Sequence, residues 1–274
     1  MKKIVLFFIA IFIFALYFYF VFLPEHYYSK GNNALSTNMN KADAKSVVKY
    51  YTKAAKMGNV SAQEQLGVLY SGFGNIPEDS RKSIYWTTKA AQSGDVRAQM
   101  RLSEWYSYGT LLPKLELESI KWLKKAARNG NARAQLKLSR RYDEGFLGQD
   151  ANKEKASYWL NKALASAKSS NDDSVLYEIS REFEGKEAVE ILEASALLGN
   201  YFAQISLVDA YIRGEGISKS IPIAWAWNNI ANRDNGSLSP DLKKELEEIT
   251  PEQLVQAKQL SHQYWNIIKT NLYQ

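Results

Sequence analysis

Apolar residues are arranged in two different ways along this chain. Residues 4–23 form an unbroken run without a charged group, and seven of the eleven phenylalanines lie inside it. Twenty residues rising about 1.5 Å each span the roughly 30 Å hydrocarbon layer as a helix. A cleaved signal peptide has a shorter apolar region, about 7–15 residues, and a small-x-small cleavage site. Here the bulky residues 17–23 occupy that place. A buried core helix fits less well still, because this one is apolar on every face. The pattern predicts a transmembrane signal anchor over residues 1–23 and a juxtamembrane segment over 24–40. Lys2-Lys3 precede the run and Pro24-Glu25 end it. The positive-inside rule keeps the lysines cytoplasmic and sends residues 24–274 to the other side, the periplasm if the membrane is a bacterial inner membrane.

From residue 41 onward the apolar positions recur at helical spacing, and the spacing itself repeats. Ala54-Ala55, Ala90-Ala91 and Ala126-Ala127 are 36 apart, as are Gly58, Gly94 and Gly130. Ala62-Gln63, Ala98-Gln99 and Ala134-Gln135 keep the interval, followed by Leu66, Leu102 and Leu138, then Tyr70, Tyr106 and Tyr142. Trp86 and Trp122 share a phase with Tyr50, and Trp159 comes one residue late. The pattern returns at Ser195-Ala196, Gly199-Asn200, Ala203-Gln204, Leu207 and Tyr211, with a degenerate copy before it carrying Ile179, Phe183, Ala188 and Ile191.

Each unit reads as two helices. The first runs from Ala-Gln to Tyr. A turn such as Gly72-Phe73-Gly74 or Gly214-Glu215-Gly216 follows, and the second helix carries Trp and Ala-Ala before stopping at Gly-Asn or Gly-Asp. One hairpin cannot bury its apolar face alone, whereas stacked copies can.

These residues resemble the Sel1-like repeats, relatives of the tetratricopeptide repeat. The resemblance implies an all-α, right-handed solenoid of helix-turn-helix repeats over residues 41–236, behind the transmembrane helix. Ala224-Trp225-Ala226-Trp227 looks like a last repeat. Residues 237–274 are expected to form capping helices, with starts at Ser239-Pro240 and at Thr250-Pro251-Glu252-Gln253, where Thr250 and Gln253 suit a reciprocal cap.

Composition narrows the chemistry. The chain has no cysteine and only His26 and His262, which excludes disulfides, thiol nucleophiles and Cys/His zinc sites. His26 is expected at the membrane interface, and His262, in the closing helix next to bulky residues, is expected to be structural. The formal charge of +6 conceals a division, with 23 basic against 12 acidic residues over 41–168 and 9 against 16 over 169–274. Basic residues occur singly or in pairs without reading elements, which argues against nucleic acid. The basic segment adjoins the anchor and could approach anionic lipid or an acidic partner. Gly72-x-Gly74 and Gly214-x-Gly216 follow no strand and complete no phosphate-loop motif. No catalytic, metal or cofactor site is expected.

Positions outside the repeat pattern share another face of the first helices: Arg97, Glu104 and Tyr108; Arg133, Arg140, Asp143 and Glu144; Tyr177 and Arg181; Phe202, Asp209 and Arg213. By resemblance to tetratricopeptide repeats this face lines a concave groove, and its charges and aromatics suit a protein partner. Glu104, Arg140, Arg181 and Asp209 fall in one column and could instead pair with one another.

The resemblance further implies a choice of roles, since Sel1-like proteins include envelope scaffolds, host-interaction factors and immunity proteins against phospholipase effectors of type VI secretion. The expectation is a non-enzymatic, membrane-anchored module binding a toxin or effector, with the bilayer held through residues 4–23. An envelope scaffold or adaptor for a resident protein is the alternative. A peptidoglycan or lipid hydrolase comes third, for want of a convergent carboxylate pair or serine site.

Overall fold

The computed structural model describes residues 2–35, 41–73, 75–233 and 237–273. Gly74, the last residues of the expected juxtamembrane segment (36–40) and the boundary at 236 lie outside them. The described chain is all-α, without strands, and its helices come as repeated pairs. It divides into two compact units. Unit 1 comprises residues 1–134 with 147–149, and unit 2 comprises 135–146 with 150–274.

Unit 1 opens with α1 (Lys2–Tyr17), a π-helical turn (Phe18–Phe22) and α2 (Leu23–Ala34) as one continuous helix. The π turn has a local cause. Pro24 has no N–H, and its ring would press on the carbonyl four residues back in a regular helix. The wider turn, in which Leu23 N–H donates to the Phe18 carbonyl, takes up that clash without ending the helix. Among the described residues, one helix is long and apolar enough to cross a membrane, Ile9–Ala34, and almost none of its apolar stretch is buried. That length and composition suit a membrane span or a signal sequence.

Next comes α3 (Lys41–Lys56); the repeated pairs that follow are α4 (Val60–Leu69) with α5 (Ser80–Gln92) and α6 (Val96–Tyr108) with α7 (Glu116–Arg128), while α8 (Ala132–Glu144) lies mostly in unit 2. α2 packs on α3, extending the array into the segment that leads out of the apolar run. Tyr27 and Tyr28 of α2 lie against the core of Val47, Tyr51, Leu66 and Trp86. Tyr51 is fully buried, and its hydroxyl donates to Oδ1 of Asn32 at 2.7 Å.

The turns explain why the repeat keeps its letters. Gly58, Gly94, Gly130 and Gly199 adopt φ between 86° and 100°, the left-handed conformation that a Cβ makes costly. The next residue caps the following helix: Asn59 Oδ1 accepts from Ala62 N at 2.8 Å, Asp95 from Ala98 N at 2.7 Å, and Asn200 from Ala203 N at 2.9 Å. The glutamine of each Ala-Gln turns inward. Gln63, Gln99 and Gln204 each donate through Nε2 to the carbonyl of Ala55, Ala91 and Ala196 at 3.1 Å. The paired alanines therefore supply both close helix approach and the acceptor for a buried amide.

Unit 2 continues with α9 (Lys153–Ser169), α10 (Asp173–Ser180), α11 (Gly185–Leu197), α12 (Tyr201–Arg213) and α13 (Ile221–Ala231). The degenerate copy is α10 with α11; α10 has only eight residues. α14 (Pro240–Glu245) starts at a Ser239 cap, and α15 (Pro251–Leu272) at the reciprocal Thr250–Gln253 capping box. α15 covers α13, where Tyr264 stacks on the buried Trp227 with ring centroids 4.6 Å apart. His262 lies on the exposed side of α15, because Ala257, Ser261 and Ile268 take the inward positions of that helix.

Candidate partner-binding surface

The expected groove residues are shared between the two units. In unit 1, Arg97 sits in the first turn of α6 with its side chain 66% exposed and Nη2 3.5 Å from Glu64 on α4. Glu64 is only 2% exposed. It also meets Arg101 Nη2 at 3.2 Å and accepts from Gln65 Nε2 at 3.2 Å. A carboxylate so shielded from water is tolerable because these donors replace its hydration. Glu104 and Arg133 are half-buried, and Tyr108, which ends α6, is 71% exposed.

Glu64 and Arg101 were not among the expected site residues. A signal was present, however: one and two repeat periods later the position of Glu64 holds Met100 and Leu136, both buried. A carboxylate in a core register requires a partner.

In unit 2 three groupings form. Arg140 donates through Nε to Glu182 Oε1 at 2.7 Å, with Nη1 3.6 Å from Glu178. Two carboxylates from outside its column thus engage Arg140. Arg140, Asp143, Glu144 and Glu182 line an open pocket of about 440 Å³, and Asp143 meets Lys153 at 2.6 Å. Tyr177 and Phe202 stack with centroids 5.9 Å apart and planes 28° from parallel. Phe202 is nevertheless 63% exposed, beside the exposed Tyr201. Asp209 and Arg213, one turn apart on α12, line a second pocket of about 420 Å³ with Phe183 and Glu184. Arg181 is exposed at the end of α10.

Three phenols, Tyr51, Tyr211 and Tyr264, are raised above their usual range, chiefly by burial. Burial is the main cause that pushes Tyr51 up to about 12, helped by Tyr28 and Glu64. Tyr211 is raised further by burial and by its bond to Glu193 Oε1 at 2.6 Å. Both are packing groups far above neutral pH, and neither is poised to exchange a proton. Among the described residues, no three His, Asp or Glu side chains are placed to hold a metal ion.

The sequence pattern of the Sel1 repeat matches residues 15–59, 60–95, 96–131 and 132–167, more than half of the chain. The chain belongs to the Sel1 repeat family. The Sel1 repeat is a protein-interaction module, generally without catalysis. The first matched copy takes in α2, in keeping with its packing on α3. A Sel1 repeat protein from Oxalobacter formigenes shares the fold with a TM-score of 0.64 at 22% identity, over 88% of this chain and 98% of that one. Two immunity proteins of Pseudomonas aeruginosa are also similar, with TM-scores of 0.48 and 0.40 at 16% and 15% identity. They are matched over 82% and 81% of their length, and over 89% and 90% of this chain. No curated protein matches the chain by sequence.

Proposed function

We propose that this Sel1-repeat chain is a membrane-tethered module that captures another protein, and that the captured protein is a secreted effector of the phospholipase class, which it holds inactive. The tether is the apolar helix of residues 4–23, with the repeats on the periplasmic side of a bacterial inner membrane. Tethering raises the local concentration of an inhibitor at the surface a lipid-attacking enzyme must reach. The module works by occupancy, without turnover. The resemblance to Sel1-repeat immunity proteins points to an effector as partner.

The observation that supports capture is Phe202, 63% exposed and stacked on the half-buried Tyr177. Exposed, stacked aromatics lose little conformational freedom on binding and bury large areas, the properties of interface hot spots. Arg140, Asp143, Glu144, Arg181, Asp209 and Arg213 give this pair a rim of both signs. In unit 1, Arg97, Glu104, Tyr108 and Arg133 are a contact set of their own. Such a rim sets orientation and partner choice more than raw affinity.

The test is co-expression of the chain with secreted phospholipases, beginning with any whose gene neighbours its own. A stable complex and restored growth are expected, both weakened by Phe202→Ala. No complex and no rescue would overturn the effector reading. Capture of a resident envelope protein from membranes would make the chain a scaffold instead.

A further inference from the structure

Five cations lie along one edge of unit 1: Lys53 and Lys56 at the end of α3, Lys89 at the end of α5, and Lys125 and Arg128 at the end of α7. All five are exposed. Consecutive helices from α3 to α7 pack on one another through short connections and so alternate in direction, which brings these three C-termini to the same side. Side-chain bonds join the neighbouring turns. Arg97 meets Glu64 at 3.5 Å, and Asn129 Nδ2 donates to Gln99 Oε1 at 3.1 Å.

The height of this edge relative to the apolar run follows from two contacts. Asn59 Nδ2, in the α3–α4 turn, donates to Glu25 Oε2 at 3.3 Å. Lys53 Nζ lies 4.8 Å from the centre of the Tyr27 ring. Glu25 and Tyr27 follow the last apolar residue, Leu23, by two and four positions. The edge is therefore level with the point where the continuous helix leaves its apolar stretch.

Cations in the last turn of a helix are ordinarily explained by the helix dipole. That explanation covers each lysine singly but not the state of the acids beside them. The carboxylates on this edge are already engaged: Glu25 by Asn59, Glu64 by Arg97 and Arg101, and Asp95 by the Ala98 amide. The opposite edge mixes signs, with Glu78, Asp79 and Glu116 among Arg81, Lys82 and Lys114. Unit 1 thus turns uncompensated positive charge toward the end where the apolar helix departs.

We infer that this basic edge rests on anionic phospholipid headgroups of the membrane that the apolar helix crosses, so that unit 1 lies against the bilayer surface. The inference deepens the tethered reading above and depends on residues 4–23 being inserted. Basic groups within a Debye length of an anionic surface are attracted strongly enough, several together, to hold a domain down.

The experiment uses the full chain in nanodiscs of phosphatidylcholine alone or with one quarter phosphatidylglycerol, and follows amine labelling of single lysines by mass spectrometry. In the anionic discs, labelling of Lys56, Lys89 and Lys125 should slow by about threefold or more, with high salt abolishing the effect. Lys82 and Lys114 should label equally in both. A chain retained in discs after alkaline washing, yet with edge lysines labelled alike in both lipids, would overturn the lipid contact and leave the tether standing. A chain washed out of the discs would overturn the tether and the lipid contact with it.

Discussion

Replacing Gly31 by alanine sets two physical effects of opposite sign against each other. Gly31 lies in α2, and a methyl built on it would overlap Cδ1 and Cε1 of the Tyr51 ring. In an open helix the change from glycine to alanine would stabilise by up to about 1 kcal/mol through backbone entropy. Here the ring has little room to retreat. Tyr51 is fully buried, its hydroxyl is held by Asn32 at 2.7 Å, and its face is covered by Tyr28 with centroids 5.7 Å apart. Overpacking of a close-packed site costs about 1–3 kcal/mol, so the net effect should be a loss of about 1–2 kcal/mol. Repeat arrays open locally, so the assay is amide hydrogen exchange of α2 and α3 in the full chain, in detergent micelles. Exchange there should quicken roughly 5–30-fold. Pairing Gly31→Ala with Tyr51→Leu should restore part of the loss, giving a non-additive cycle. Slower exchange in Gly31→Ala would mean that propensity governs alone and that α2 is not packed on the first repeat.

The buried carboxylate of unit 1 ranks its two arginines. Arg101→Ala should destabilise the α4–α6 contact by about 1–2 kcal/mol, while Arg97→Ala should cost under about 0.5 kcal/mol because that side chain is mostly in water; equal effects in thermal unfolding would contradict the ranking. The alkaline limb of stability should carry a tyrosine signature. The folded state holds the Tyr51 proton to about pH 12 against an ordinary value of 10, so its contribution is complete below pH 10 and is lost as pH rises from 10 to 12, where only the unfolded chain releases the proton. Tyr51→Phe should flatten that decline in urea unfolding at pH 8 and pH 11, and an unchanged slope would show that other groups set it. For capture, Phe202→Ala should weaken the partner complex by about 2 kcal/mol, roughly thirtyfold in Kd by titration calorimetry, while leaving circular dichroism unaltered.

What the letters of the chain disclosed depends on how each residue does its work. Repeated residues announce themselves, because Gly58, Asn59, Ala62 and Gln63 solve one local problem that recurs every 36 residues, and the first copies spell it nearly alike, with Asp95 in place of Asn. Helix ends were legible for the same reason, since the Thr250–Gln253 capping box needs no distant partner. The exposure of His262 was not legible, because bulky sequence neighbours do not determine which side of α15 faces α13. Side-chain pairing between repeats was the least legible. Arg140 shared a column with Glu104 and Asp209, and the structure brings Glu178 and Glu182, from outside that column, to it. Glu64 is the instructive exception, because comparing its position with Met100 and Leu136 exposes a charge where packing calls for an apolar group. In a repeat protein, then, the shared letters report how the scaffold stands, and the exceptions to them report which contacts this chain alone has to make. The same reasoning directs attention to Tyr177 and Phe202, two aromatics that stack on each other while Phe202 stays largely in solvent. Tyr177 also packs against the core of unit 2, whereas the outer face of Phe202 covers nothing in the repeats, and the physical use left for that face is a surface supplied by another molecule.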